Sequence, residues 1–244
     1  MHSALASRPA VAEALIPDIP PGCKRLTPGP GYLDALVSDN VEFVNSDVTA
    51  FTPSGLRTAD GSEHELDAII CATGFDVSCV PSFPIIGVGG ASLQDTWKED
   101  VVTYLGISVP RLPNFFMVLG PNTGVGSGSL LIVMEQQVAY VVEALNKIRR
   151  EGYRSLCVRD APAKAFIRYT DAYFHRTVFA GDCKSWYKNG ASGPTRIRTL
   201  WPGSSSHAFL AFKYPRWEDY AWERDPAFED DMAWLGNGDV SPEL

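Results

Sequence analysis

Residues 114–145 read NFFMVLGPNTGVGSGSLLIVMEQQVAYVVEAL, and the reading of this stretch decides the fold. NFFMVLG (114–120) has the apolar content of a buried strand, PNTGVGSGS follows as a Gly-rich loop, and Leu130 opens the strongest helical pattern in the chain. Leu131, Met134, Val138, Val142, Leu145 and Ile148 recur at intervals of three or four, while Glu135, Gln136, Glu143, Lys147 and Arg150 take other faces. Ser127 or Ser129 is placed to cap its start and Gly152 its end. A strand that ends in a glycine loop and opens a helix gathers unpaired N–H groups and the positive end of the helix dipole at one point. Such a point binds negative charge. Gly120, Gly124, Gly126 and Gly128 spell neither G-x-G-x-x-G nor a P-loop. On spacing alone, a ligand-binding loop and a tight turn that needs small residues both stay open.

Working outward, ELDAIICATGFD (65–76) holds a largely apolar run, Ala68 to Ala72, that suits a strand buried in a parallel sheet. Thr73 and Gly74 then fall where ligands bind, beyond the carboxyl end of such a strand, although Gly74 equally suits a turn with positive φ. Before it, Val41, Phe43 and Val44 begin an extended segment, TAFT (49–52) continues one, and Asp60-Gly61 marks an antiparallel turn. Between Pro81 and Pro113 the chain reads as irregular, with a short helix around Ser92 to Lys98. A second long helix is expected from Ala161 to Val178, with Asp160 as cap and Pro162 in its first turn. From Gly181 the sequence is aromatic and turn-rich, with Trp186, Tyr187, Trp201, Phe209, Phe212, Tyr214, Trp217, Tyr220, Trp222 and Trp234, and is expected to form a lid or short strands.

Composition narrows the function. With 244 residues, 45% apolar and 20% charged, the chain is expected to be a soluble globular protein with a sizeable core. Lys+Arg 21 against Asp+Glu 29 gives a formal charge of −8, which argues against a nucleic-acid surface. Lys147, Arg149, Arg150 and Arg154 read as cations at a helix end. Cys23, Cys71, Cys79, Cys157 and Cys183 are odd in number and widely spaced, and are expected to be reduced thiols of a cytoplasmic protein. No membrane span and no signal peptide are legible. His2, His64, His175 and His207 are scattered, so no metal site is expected. No G-x-S-x-G elbow supports a hydrolase.

LDAIICATGFD, then NFFMVLGPNTGVGSGSLLIVMEQQ, then CKSWYKNGASGPTRIRTLWPGSSSHAF, together with the connector GCKRLTPGPGYLDAL, resemble the C-terminal part of class B flavoprotein monooxygenases. The resemblance is strongest to the Baeyer–Villiger type of fungal secondary metabolism and runs from about Ile16 to Trp222. It implies an α/β, incomplete two-dinucleotide-binding-domain flavoprotein fold: parallel strands, a long helix after a Gly-rich loop, and an aromatic-rich C-terminal tail. Residues 1–62 would be the end of the NADPH domain and the return connector, 63–152 the C-terminal segment of the FAD-type domain, and 153–244 the helical and aromatic tail. The implied cofactors are FAD and NADP, with Thr73, Gly74, Phe75, Ser129, Leu130 and Trp186 at the cofactors and Val125, Gly126 and Ser127 at the substrate. Gly126→Val is accordingly expected to abolish ligand binding with little loss of fold. The implied reaction is NADPH- and O2-dependent oxygen insertion beside the carbonyl of a ketone or polyketide.

The sequence also departs from the family. A complete member carries a G-x-G-x-x-G for the FAD pyrophosphate, a second glycine motif for NADPH, and the fingerprint F-x-G-x-x-x-H-x-x-x-W-P, none of which occurs here. Where many relatives read G-H-G-S, this loop has Gly126-Ser127-Gly128-Ser129. The chain reads as one entered midway, and tight independent FAD binding is not expected. Three readings follow: part or a shortened product of a real monooxygenase; a flavin-free cyclase, dehydratase or isomerase of a polyketide; or a non-catalytic subunit of an intact monooxygenase, or of its own homo-oligomer. The second needs an acid and a base, for which His207 is the first candidate and His175, Asp76, Asp182 and Glu135 the others. The third predicts a large exposed apolar face.

Overall fold

The computed structural model describes residues 1–23, 29–126, 128–188 and 196–226, with Phe228, Met232 and Leu235. Ser127 and Trp234 lie outside the described residues. The chain divides into two compact units, Met1–Ile19 with Leu26–Asp76, and Pro20–Arg25 with Val77–Leu244.

In the first unit, α1 (Pro9–Leu15) and α2 (Tyr32–Leu36) precede three strands, β1 (Val48–Thr52), β2 (Gly55–Thr58) and β3 (Glu63–Glu65). The small core is Leu5, Ala12 and Leu36, against which Val41 and Phe43 pack. Arg8 staples it by donating to the carbonyls of Ser38 and Val41 at 2.7 and 2.6 Å. The strands form an antiparallel sheet in the order β1-β2-β3. Its second turn is the expected Asp60-Gly61: Gly61 has φ +87, and the Asp60 carboxylate accepts from the Thr58 hydroxyl and the Ser62 N–H. Val41 to Val44 belong to no ladder among the described residues; Val41 and Phe43 pack on the core instead, and Val44 is exposed.

Two expectations are corrected here. Ala68 to Ala72 form no strand, and the ladders of the described residues are antiparallel; the one parallel contact is an isolated bridge, Gly124 to Leu200. A strand exists only where neighbours take up its N–H and C=O groups, and no ladder of the described residues includes 68–72. The run is laid open instead, with Ile70 91% exposed and Phe75 96% exposed.

In the second unit, α3 (Leu93–Glu99) is capped by Ser92, whose hydroxyl accepts from the Asp95 N–H. Leu93, Trp97, Val101, Val109 and Leu112 form a core beneath the Pro/Gly-rich stretch. The main core lies between α4 (Leu130–Arg150), α5 (Asp160–His175), α6 (Ser205–Lys213) and a two-stranded antiparallel sheet of β4 (Tyr153–Val158) and β5 (Tyr220–Arg224). Gly152, φ +67, ends α4 as expected. Helix α5 ends at His175, with Val178–Ala180 forming a separate 3₁₀ turn. Residues 114–120 form no ladder strand: Asn114 lies in a turn and Leu119 in a bend, both at positive φ, and one bridge, Phe116 to Ser108, remains. The tail holds helix α6, where short strands were expected in that stretch: Ser204 caps it by accepting from the His207 N–H, and Ala208 and Phe212 are buried.

The helix α4 is apolar around much of its circumference, and the face that packs is not the most regular one. Val133, Gln137, Tyr140 and Ala144 are buried, while Leu131, Val138, Val142 and Leu145 are exposed, Leu131 by 69%. The buried stripe meets β4 and α6 with small or hydrogen-bonding side chains that allow close approach. Inside that core Tyr140 donates to the Tyr220 hydroxyl at 2.9 Å, Ser108 lies 3.1 Å from the same hydroxyl, and Tyr104 donates to Asp219 at 2.5 Å.

The five cysteines are not all reduced. Cys23 and Cys183 form a disulfide with Cα atoms 6.5 Å apart, while Cys71, Cys79 and Cys157 keep their thiols. The partners are 160 residues apart in sequence, so spacing carried no signal of their pairing.

Candidate functional site

The glycine loop is held by backbone on two sides. Asn122, itself at φ +62, donates its N–H to Arg198 O at 2.8 Å and its side-chain amide to Ile197 O and Leu200 O. The Gly124 N–H donates to Thr199 O, and the Trp201 N–H donates back to Gly124 O at 2.6 Å. On the other side Gly120 faces Gly106: a Cβ on either would fall inside contact distance of backbone oxygen, that of Gly106 in one case and that of Pro121 in the other. Two backbones approach there as only glycines permit. Leu119 is fixed by donating its N–H to the buried Gln137 Oε1 at 3.0 Å.

Beside this loop lies a cavity of about 510 Å³. Phe115, Met117, Val118 and Leu119 line it, while Phe116 packs on the main core. Leu130 at the start of α4, Gly120 and Gly124 of the loop, and Trp186 complete the near side; Phe83, Ile85 and Trp97 form the far side. No Asp, Glu, Lys, Arg or His stands among the described residues of the wall. Two wall residues hold buried polar atoms without a hydrogen-bond partner among the described residues, Trp97 Nε1 and Thr199 Oγ1. Ser129 gives α4 no side-chain cap, and the first N–H groups of a helix have no partner within it.

The expected site residues are thus distributed. Leu130 and Trp186 share the cavity wall. Ser129, exposed, borders a separate pocket of about 310 Å³ with Ser205, Ser206 and Phe209. Gly126 lines a third, of about 270 Å³, with Tyr173, Phe174, Phe179 and Trp201. Val125 packs against the main core. Thr73, Gly74 and Phe75 are exposed and belong to the first unit. His207 is exposed and stands outside the 510 Å³ cavity; its Nδ1 accepts from Trp201 Nε1 at 3.0 Å, which leaves any proton of the neutral ring on Nε2. His175, Asp76, Asp182 and Glu135 are exposed and also off that wall. No cluster of described residues could hold a metal. No described helix is long and apolar enough to cross a membrane.

Sequence reasoning missed the far wall, Phe83, Ile85 and Trp97, because it lies in the stretch read as irregular. The only available signal was the apolar content between the prolines.

No protein-family model matches the chain. Curated proteins and solved structures do. It is 37% identical over 199 residues to the FAD-binding monooxygenase moxY of Dothistroma septosporum, covering 82% of this chain and 32% of that protein. It is 36% identical over 197 residues to a Baeyer-Villiger monooxygenase of Pseudomonas aeruginosa, covering 80% and 37%. The chain is a homologue of the C-terminal portion of FAD-binding, Baeyer–Villiger-type monooxygenases. A crystal structure of OTEMO with FAD and NADP superposes on the monooxygenase-like chain with a TM-score of 0.77 and 28% identity, over 90% of this chain and 43% of its own. An oxidized steroid monooxygenase bound to NADP does so with 0.74 and 26%, over 92% and 44%. The monooxygenase homologue therefore has a partial α/β fold of that family, and spans about a third to just over two fifths of the length of these relatives.

Proposed function

We propose that this chain supplies the ring-side wall of a flavin-dependent, Baeyer–Villiger-type monooxygenase cavity that inserts oxygen into a ketone or polyketide intermediate. One observation carries the reading: the uncapped start of α4, the glycine loop and Trp186 stand around one apolar cavity. The residues fit the ring of a flavin. Its flat faces suit the apolar walls and the Trp186 indole, and its electron-rich edge suits the N–H groups at the start of α4. They do not fit the pyrophosphate: the chain has no G-x-G-x-x-G, and no cation stands among the described wall residues.

When bound, the flavin would activate dioxygen with electrons supplied by NADPH; this chain's residues bind, orient and keep water out. Leu130, Phe115 and Met117 exclude water and Trp186 covers the ligand. The flavin-free alternative is disfavoured, since none of its acid–base candidates stands on that wall. In this reading 1–62 close the NADPH domain, 63–152 belong to the FAD domain, and 153–244 are the tail; Thr73, Gly74, Phe75 and Ser129 are further cofactor contacts, and Val125 and Gly126 contact substrate.

The test uses lumiflavin, the ring without its dinucleotide, and ADP as separate probes. Quenching of lumiflavin fluorescence by the chain is expected to saturate, and Trp186→Ala is expected to weaken it about fivefold, the ~1 kcal/mol of an aromatic contact. ADP is expected not to bind. Absence of lumiflavin binding, or equal affinity in the Trp186→Ala chain, contradicts the reading.

A further inference from the structure

The Trp186 side of the cavity is tied down by a covalent bond. Cys23 and Cys183 are both buried, 1% and 4% exposed, and pair across 160 residues. The two backbones they join lie against each other: a Cβ on Gly181 would touch Pro20 at 3.4 Å, and one on Gly22 would touch Val178 at 3.5 Å. Three residues beyond Cys183 comes Trp186, first in the 3₁₀ turn Trp186–Lys188. Two anchors hold that turn. On its far side Tyr187 is buried with Phe174, Ile197 and Leu200, and its carbonyl accepts from the Arg198 N–H at 2.9 Å. On its near side the Lys188 ammonium, buried, reaches back to the Gly181 carbonyl at 2.5 Å, so the turn is closed onto the residues that the disulfide fixes. Between the anchors Lys184 and Trp186 are exposed.

We propose that the Cys23–Cys183 disulfide is a redox latch on the Trp186 turn: closed, it holds Trp186 against the cavity; opened by a dithiol, it releases residues 181–186. The step is ordinary exchange. A thiolate of the dithiol attacks one sulfur, the other leaves as a thiolate, and the second thiol of the reagent closes on the mixed disulfide. Two electrons and two protons pass to the protein as two thiols, and the dithiol becomes a cyclic disulfide. The consequence for the ligand rests on the reading of the cavity given above; the release of the turn does not.

The full chain is prepared oxidised and after treatment with dithiothreitol, then digested briefly with trypsin, and cleavage after Lys184 is followed by mass spectrometry. Reduction is expected to speed that cut about tenfold, as an opened segment becomes a substrate. A Cys23→Ala/Cys183→Ala chain is expected to be cut at the fast rate with or without dithiothreitol. Lumiflavin titration of the same samples separates the two claims: a fast cut on reduction without lumiflavin binding in either state upholds the latch and removes the ligand reading. Equal cutting rates in the oxidised and reduced chain overturn the latch. So does alkylation of Cys23 and Cys183 in the oxidised chain, which would show that the bond does not form.

Discussion

Replacing Gly106 or Gly120 with alanine is expected to cost about 3 kcal/mol of stability, the upper range for forcing atoms into a filled site at a constrained backbone. Gly106 sits at φ +66, where a side chain is already strained, and its Cβ would fall on Thr123 and the Pro121 carbonyl. At Gly120 the obstacle is the Gly106 carbonyl itself, with Met117 close behind. Neither obstacle is the loose end of a side chain, so the turn 104–108 and the glycine loop must part. Gly126→Ala is expected to change stability by less than about 0.5 kcal/mol, as for an open surface position, because nothing stands within 4 Å of its added Cβ. Urea unfolding of the three variants checks the contrast, and equal midpoints would show that the close approach does not hold the loop.

Tyr220→Phe is expected to cost about 3 kcal/mol, since one lost hydroxyl strands two others at roughly 1–3 kcal/mol each. Tyr220 accepts from Tyr140 and pairs with Ser108, and all three residues are buried. The same cluster sets a pH dependence. Burial, first of all, raises the pKa of Tyr104, Tyr140 and Tyr220, with Asp219 adding to it for Tyr104 by hydrogen bond and charge. A group whose folded pKa lies above its unfolded value gives stability that is intact below the unfolded pKa and lost above it. The chain should therefore hold its stability up to about pH 10 and lose roughly 1.4 kcal/mol per pH unit per tyrosine beyond it. Tyr104→Phe should flatten that slope by one tyrosine. A stability curve that stays level above pH 10 would mean that these hydroxyls are open to water.

The parts of the molecule that were legible in sequence are those settled by local chemistry. Gly152 stops α4 because a left-handed residue was needed there, Asp60-Gly61 turns the small sheet, and the chain after Asp160 is helical. What local chemistry could not supply was the neighbour. Ala68 to Ala72 have strand composition and no ladder, and the regular stripe through Leu131 and Val138 on α4 is exposed while the less regular Gln137 and Tyr140 are buried. Similarly, the stretch from Gly181 reads as turns with a lid or short strands, yet the Ser204 cap and two buried apolar positions make a helix of Ser205–Lys213.

The candidate site follows the same division. Leu130 and Trp186, which the family resemblance implies at the cofactors, both line the cavity. Trp97 and Thr199 were invisible, being 102 residues apart on segments that only the tertiary fold brings to one wall. The Cys23–Cys183 pair was hidden for the same reason.

Backbone amide shifts on adding lumiflavin to the nitrogen-labelled chain read directly whether a ligand seats at the amino end of α4. The predicted result is shifts concentrated at the N–H groups of Leu130, Leu131 and Ile132 and at the indole N–H groups of Trp97 and Trp186. Shifts confined to the pocket around Gly126 and Tyr173, or to the exposed residues 68–75, with the start of α4 unmoved, would contradict it.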